Sequence, residues 1–326
     1  MAGTRGHSGE SRTTVIAAIA ANLGIAILKF GAAFFTGSSA MLSEGIHSLV
    51  DTTNEGLLLF GMHRSSRPPD KRHPFGYGTE LYFWSFVVAM VIFSLGAGFS
   101  LYEGMTAWER GHEIEAPLIG FLVLLGSFLF EGASWLVAYR AFNRTRGART
   151  FHQHFRGHKD PAIFTVLMED SAACLGVLIA AAGLALSLYT DDSRYDAAGS
   201  VAIGCLLAVT AFVLARETKG LLIGEAASPE LSSAILELLG NHPDISAVNE
   251  LRTVHLGPHE VLAAISIDFK DDRPSQEVER TVTQLEREIR RRFADVRRVY
   301  IEVQNRKDHL ELERAAASGE NALSST

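Results

Sequence analysis

Between residues 13 and 216 the chain is a succession of apolar runs, each about 20 residues long and apolar on most sides, broken by short charged loops. A helix rises 1.5 Å per residue, so about 20 residues cross roughly 30 Å of hydrocarbon. A water-soluble chain with the same 47% hydrophobic content would space its apolar residues at a period of about 2 or 3.6 and keep one face polar. The runs therefore predict six membrane spans, near residues 14–35, 40–62, 81–105, 117–142, 161–188 and 197–216.

The loops orient these spans. Arg64, Arg67, Lys71 and Arg72 lie between the second and third, and Arg140, Arg144, Arg146, Arg149, Arg156 and Lys159 between the fourth and fifth. The opposite side offers Arg110 and Arg194 among Glu109, Glu113, Glu115, Asp191 and Asp192. Lys and Arg accumulate in cytoplasmic loops, so both termini are expected in the cytoplasm. A net charge of −7 supplies no basic field for nucleic acid. Cys174 and Cys205 both fall inside apolar runs, which speaks against a disulfide scaffold. Met1 to Arg12 lacks the apolar core and cleavage site of a signal peptide. With no Arg- and Ser-rich leader either, the expected location is a bacterial inner membrane rather than an organelle.

After Arg216 the charge density becomes that of a soluble domain. Ser228-Pro229-Glu230 reads as a capped helix start, with Leu231, Ile235, Leu238 and Leu239 as the apolar face and Gly240 as its end. Leu251–Leu256, Val261–Phe269 and Val299–Val303 read as strands, and Glu277–Phe293 as an amphipathic helix. The expected division is a short N-terminus (1–13), a membrane domain (14–216), an α+β cytoplasmic domain (217–305) and a polar, disordered tail (306–326).

Ionisable groups in hydrocarbon cost several kcal/mol, so each needs a reason. The second span holds Glu44, His47, Asp51, Asn54 and Glu55. His47 and Asp51 are four apart and share a helix face, and Glu44 and Asn54 extend the stripe by three residues at either end. An imidazole and a carboxylate at that spacing are half of a tetrahedral N/O site for Zn²⁺. The rival, that the two merely bond each other across a helix contact, is disfavoured because Ser or Gly makes such contacts more cheaply. In the fifth span Glu169 and Asp170 point about 100° apart, so only one faces the stripe squarely; Cys174 shares the face of Asp170. Asn22 and Lys29 lie on one face of the first span, Glu131 is either a proton relay or a partner for Lys29, and Asp196 marks a span end. His152, His154 and His158 could gather metal upstream of the fifth span, or be ordinary surface histidines.

Ser43-Glu44-Gly45-Ile46-His47-Ser48-Leu49-Val50-Asp51, the loop Arg72-His73-Pro74-Phe75-Gly76-Tyr77-Gly78, and Leu251-Arg252-Thr253 resemble the cation diffusion facilitator family, in its zinc transporter 9-like branch. The resemblance covers about residues 13–305. It implies a homodimeric metal/proton antiporter, a multi-pass α-helical membrane protein with six transmembrane helices and a ferredoxin-like cytoplasmic domain. His47, Asp51 and Asp170 carry over as metal ligands. Val166 stands where the family has a histidine, which leaves a fourth ligand position for Glu169 first, or for Cys174, Glu44 or water. The family's loop site is reduced to Asp70 and His73, with Tyr77 in place of a second histidine. Ile265 and Glu302 stand where cytoplasmic histidines are expected, with His255 and His259 on the neighbouring hairpin.

The expected function is Zn²⁺ efflux coupled to protons, with the lipid bilayer and a second copy of the chain as partners, no nucleic acid and no prosthetic group. Mn²⁺, Fe²⁺ or Co²⁺ as cargo, and a non-transporting partner with a degraded site, are the alternatives. No metalloprotease motif or serine elbow suggests an enzyme.

Overall fold

The computed structural model describes residues 7–111, 116–144 and 161–318. The chain divides into two units, Met1–Arg67 with Glu80–Lys219, and Pro68–Thr79 with Gly220–Thr326. The first is helical: α1 (His7–Thr36), α2 (Ser39–Ser65), α3 (Glu80–Val91), α4 (Gly98–Arg110), α5 (Pro117–Arg144), α6 (Pro161–Thr190) and α7 (Arg194–Ile223). A π-helical stretch, Ile92–Ala97, joins α3 to α4 without a break. Among the described residues, four of the six expected spans are long and apolar enough to cross a membrane: Glu80–Arg110, Pro117–Arg140, Phe164–Thr190 and Arg194–Ile223. In α1 the apolar stretch among the described residues is Asn22–Thr36. The 27-residue α2 carries Glu44, Asp51 and Glu55, and these polar residues lower its apolar character. Glu113, Glu115, Arg146, Arg149, Arg156, Lys159, His152, His154 and His158 lie outside the described residues.

The helical unit is built with its charges inside. Lys29, Glu44 and Asn54 are fully buried, whereas Phe34, Leu118, Val137 and Phe212 are about two-thirds exposed or more. A protein solvated by water on all sides does the reverse; a surface of this kind suits hydrocarbon. The core joins Ala40, Met41 and Val50 of α2 to Ala172, Val177 and Leu184 of α6 and Ile203, Leu207 and Leu214 of α7. α2 is central, touching α1, α3, α4 and α6. Gly104 allows α4 to lie directly on α7, since a Cβ there would come within 2.8 Å of Val201 N and 2.9 Å of Ala197 O.

The N-terminus of α2 is held by a residue far away in sequence. Asp196, fully buried, accepts hydrogen bonds from Ser38 Oγ (2.6 Å), Ser39 N (2.7 Å), Ser39 Oγ (3.0 Å) and Ala40 N (3.3 Å). It satisfies two of the amides that every helix start leaves open, and its charge suits the positive end of the helix. Ser38 Oγ also caps α2 by accepting from Met41 N. The carboxylate read as a span-end marker thus fixes where α2 begins.

The second unit runs α8 (Pro229–Gly240), β1 (Ile245–Gly257), β2 (Glu260–Phe269), α9 (Ser275–Arg292), β3 (Val296–Val303) and α10 (Arg306–Ser318). Ser228 caps α8 by accepting from Leu231 N at 3.3 Å, with Pro229 in the first turn. β2 is central in the sheet, antiparallel to β1 and parallel to β3. Alternate residues of β2, Val261, Ala263, Ile265 and Ile267, bury one face against Ile235 and Leu239 of α8 and Leu285 and Ile289 of α9. The tail expected to be disordered is corrected over its first part: Arg306–Ser318 is helical. Asn305 starts this helix by accepting from Lys307 N at 2.9 Å, and buried His309 anchors it. The local capping and the alanine-rich turn prevail over the overall polarity that suggested disorder.

Replacing Asp196 with Ala removes the acceptor for two amides and two hydroxyls. The expected loss is about 2–3 kcal/mol, read as a lower unfolding temperature of the detergent-solubilised protein.

Candidate metal site among the helices

The 3–4 spacing of α2 places Glu44, His47, Asp51 and Asn54 on one buried face, with exposures of 0%, 1%, 8% and 0%. His47 Nδ1 lies 3.4 Å from Asp51 Oδ1, close but without a hydrogen bond. Both ring nitrogens of His47, Asp51 Oδ1, Asn54 Oδ1, Glu44 Oε1 and Glu55 Oε2 are buried with no hydrogen-bond partner. Folded proteins leave few buried polar atoms unsatisfied. A file of six along one helix, all nitrogen or oxygen donors, is a donor set suited to a cation.

α6 brings the acidic pair to this face, and α5 sets its rotation. Ser134 Oγ on α5 donates to Asp170 Oδ2 (2.9 Å), and Trp135 Nε1 donates to Ser171 Oγ (2.9 Å). With Asp170 turned toward α5, Glu169 faces α2, where its Oε1 accepts from Asn54 Nδ2 at 2.7 Å. Of the two consecutive acids, then, Glu169 bonds directly to the stripe. Asp51 lies within electrostatic reach of Glu169, Glu131, Lys29 and Asp170. No three ligand atoms of His47, Asp51, Glu169 and Asp170 lie mutually within 4.8 Å, so the donors line a path rather than close a cage. Val166 and Cys174 are half-buried on the turns flanking Asp170.

Lys29 organises the other end of the stripe. Its Nζ donates to Glu44 Oε2 (2.9 Å), Ser48 Oγ (2.8 Å) and Glu131 Oε1 (3.3 Å), with the ammonium fully buried. This pairs Glu131 with Lys29 and commits one oxygen of Glu44, considered above as a fourth ligand, to the same cation. Gly176 of α6 makes room for the cluster, since a Cβ there would collide with Glu44 Oε1. At the other end Asn22 Nδ2 donates to Glu55 Oε1 (2.8 Å). The sequence signal for Lys29 was its position alone, since a lysine in an apolar run demands a counter-charge.

Elsewhere the expected metal donors are otherwise engaged. In the loop of Pro68–Thr79, Tyr77 Oη donates to Asp70 Oδ2 (2.7 Å), and Arg72 N and His73 N donate to Asp70 Oδ1. The Tyr77 bond, then these amides, hold the Asp70 carboxyl below its ordinary range. Ile265 is buried in the sheet core. His255 Nδ1 faces Gly257 O at 3.4 Å, and His259 Nδ1 lies 3.5 Å from Asp295 Oδ1.

The family model of the cation efflux transmembrane domain matches residues 15–223, and that of the cation efflux protein cytoplasmic domain matches residues 227–305. The human proton-coupled zinc antiporter SLC30A9, mitochondrial, is 38% identical over 258 residues, 78% of this chain and 45% of that protein. Metal tolerance protein C4 of Arabidopsis thaliana is 34% identical over 268 residues, 80% of this chain and 57% of that protein. The manganese efflux system protein MneP of Bacillus subtilis is 24% identical over 302 residues, 90% of this chain and 95% of that protein. The chain thus spans about half the length of the first two relatives.

Lys29→Met strands two buried carboxylates and is expected to destabilise the protein by about 3–5 kcal/mol. Adding Glu44→Gln should recover more than about 1 kcal/mol of that loss, as coupled neighbours do. Thermal unfolding of wild type, both single variants and the double variant in detergent measures this coupling.

Proposed function

The chain belongs to the cation diffusion facilitator family, and on that premise we propose that it exports a divalent metal ion, Zn²⁺ foremost, in exchange for protons. The observation that carries this reading is the pair His47 and Asp51, whose donor atoms are buried and unpaired on α2. In this reading α1 and α2 complete six spans, the basic loops face the cytoplasm, and the membrane is a bacterial inner membrane. The second unit is a ferredoxin-like module through which two copies of the chain pair, a role supported by the match to the cytoplasmic domain model.

The ion is the substrate. His47 and Asp51 meet it first, and Asp170 and Glu169 on α6 complete its neutralisation as α6 moves against α2. For this, Glu169 gives up Asn54 and Asp170 gives up Ser134, two neutral partners that a cation outbids. Imidazole and carboxylates bind metal only when deprotonated, so loading releases protons on one side and reprotonation on the other favours release. Alternating access then needs only that two arrangements of the helices expose the same residues to opposite sides.

A second cargo has a specific basis. One imidazole among three carboxylates is a harder donor set than two imidazoles with two carboxylates, and it favours Mn²⁺ relative to Zn²⁺. The Bacillus subtilis relative carries manganese in its name.

In proteoliposomes with an imposed proton gradient, Zn²⁺ flux should fall in His47→Ala and in Asp51→Ala. The fall should at least match the roughly 10–100-fold that loss of an outer-shell partner costs a metal site. Acidifying the side from which the ion enters should weaken its uptake, because each ligand must lose a proton to bind. Flux that persists in both variants would overturn the site. Running Mn²⁺ in parallel decides between the two cargoes.

A further inference from the structure

The second unit carries another set of metal donors, contributed by β1 and α10. We propose that Glu250, His309 and Glu313 bind a divalent transition-metal ion that clips α10 onto the edge strand β1. One carboxylate oxygen from each glutamate and one ring nitrogen of His309 lie mutually within 4.8 Å. Among the described residues this is the only group of three such side chains so close. His309 and Glu313 are one helical turn apart on α10 and so share a face, and Glu250 opposes them from the sheet.

The state of His309 separates this group from a chance cluster of acids. The residue is 9% exposed, yet its Nε2 has no hydrogen-bond partner; Glu313 Oε1, at 3.9 Å, is too far. Its Nδ1 lies 2.9 Å from Gln304 Oε1. An amide oxygen only accepts, so Nδ1 carries a proton, and Nε2 is the ring nitrogen left to meet an ion beside the two carboxylates. Metal-binding histidines are oriented in this way, by a bond from the nitrogen that does not touch the ion. Gln304 is itself fixed, its N donating to Ile267 O (2.9 Å) and its O accepting from Asn249 Nδ2 (2.8 Å).

Two carboxylates and an imidazole, with a coordination position left for water, suit Zn²⁺ and also Mn²⁺, Fe²⁺ or Co²⁺. Closing on bonds of about 2.0–2.2 Å asks for a small movement of Glu313, whose side chain is half exposed. Arg252 Nε donates to Glu250 Oε1 and is the competitor. Its side chain is 73% exposed, so it can swing into water as the ion arrives. The site uses neither Ile265 nor Glu302, and α10 begins beyond the region matched by the cytoplasmic domain model. Bound at the surface, the ion exchanges with its surroundings, so the order of α10 reports metal concentration on that side of the membrane, independently of the transport reading.

Hydrogen–deuterium exchange on the full-length protein in detergent, with chelator or with Zn²⁺, tests this. Zn²⁺ at about ten times its dissociation constant should slow exchange over residues 306–318 about tenfold. The slowing should vanish in His309→Ala and in Glu313→Gln; the latter changes an exposed side chain and leaves the fold intact. It should persist in His47→Ala, which removes a proposed transport ligand. Absence of slowing in the wild type, its retention in either cytoplasmic variant, or its loss in His47→Ala would each overturn the proposal.

Discussion

Everything in the helical unit follows from the cost of taking charge out of water. An uncompensated buried ion costs several kcal/mol, and the attraction of a buried pair offsets this only with good geometry and full hydrogen bonding. Lys29 meets that condition, with three oxygens around its ammonium. It joins α1, α2 and α5 at one point, with one positive charge shared between Glu44 and Glu131. Asp51, Glu55, Glu169 and Asp170 remain, with only neutral hydrogen-bond partners described for the last three. Within this stripe the division is chemical: the acids that share Lys29 hold helices together, and those bonded to the Asn54 amide or the Ser134 hydroxyl have a single neutral partner to give up to a cation.

The stripe on α2 was legible because it is local. Residues three and four apart on a helix share a face whatever surrounds them, so His47 and Asp51 were readable as a pair from the sequence. The choice between Glu169 and Asp170 was not readable, since consecutive residues differ only by the rotation of α6. That rotation is set by Ser134 and Trp135 on another helix. Asp196 was underread for the same reason: its partners are 156–158 residues earlier in the chain. The helix after Asn305 was legible in principle, from a capping side chain and an alanine run, but overall polarity was given more weight than these local signals.

The two units also show how one sequence obeys two solvents. In the second unit a three-stranded sheet buries alternate apolar residues under two helices, as a water-soluble module does. In the helical unit Phe34 and Phe212 face outward while Lys29 is sealed in. The loop of Asp70 and Tyr77 belongs with the second unit, and Arg298 of β3 lies over the ring of Phe75 at 5.3 Å. Asp70 is there a turn-former, its oxygens occupied by Tyr77 and two amides.

The π-helical stretch Ile92–Ala97 has a consequence for how this chain can change length. A π turn absorbs one surplus residue locally, so the helix before it and the helix after it keep the phase of an uninterrupted α-helix. Leu81, Ser85 and Val88 on one side, and Ser100, Gly104 and Ala107 on the other, accordingly stay buried. In most of a packed helix, losing a residue turns everything beyond it by about 100°. Between Ile92 and Ala97 the same loss removes only the surplus, so a chain one residue shorter at this point would keep the same two buried faces.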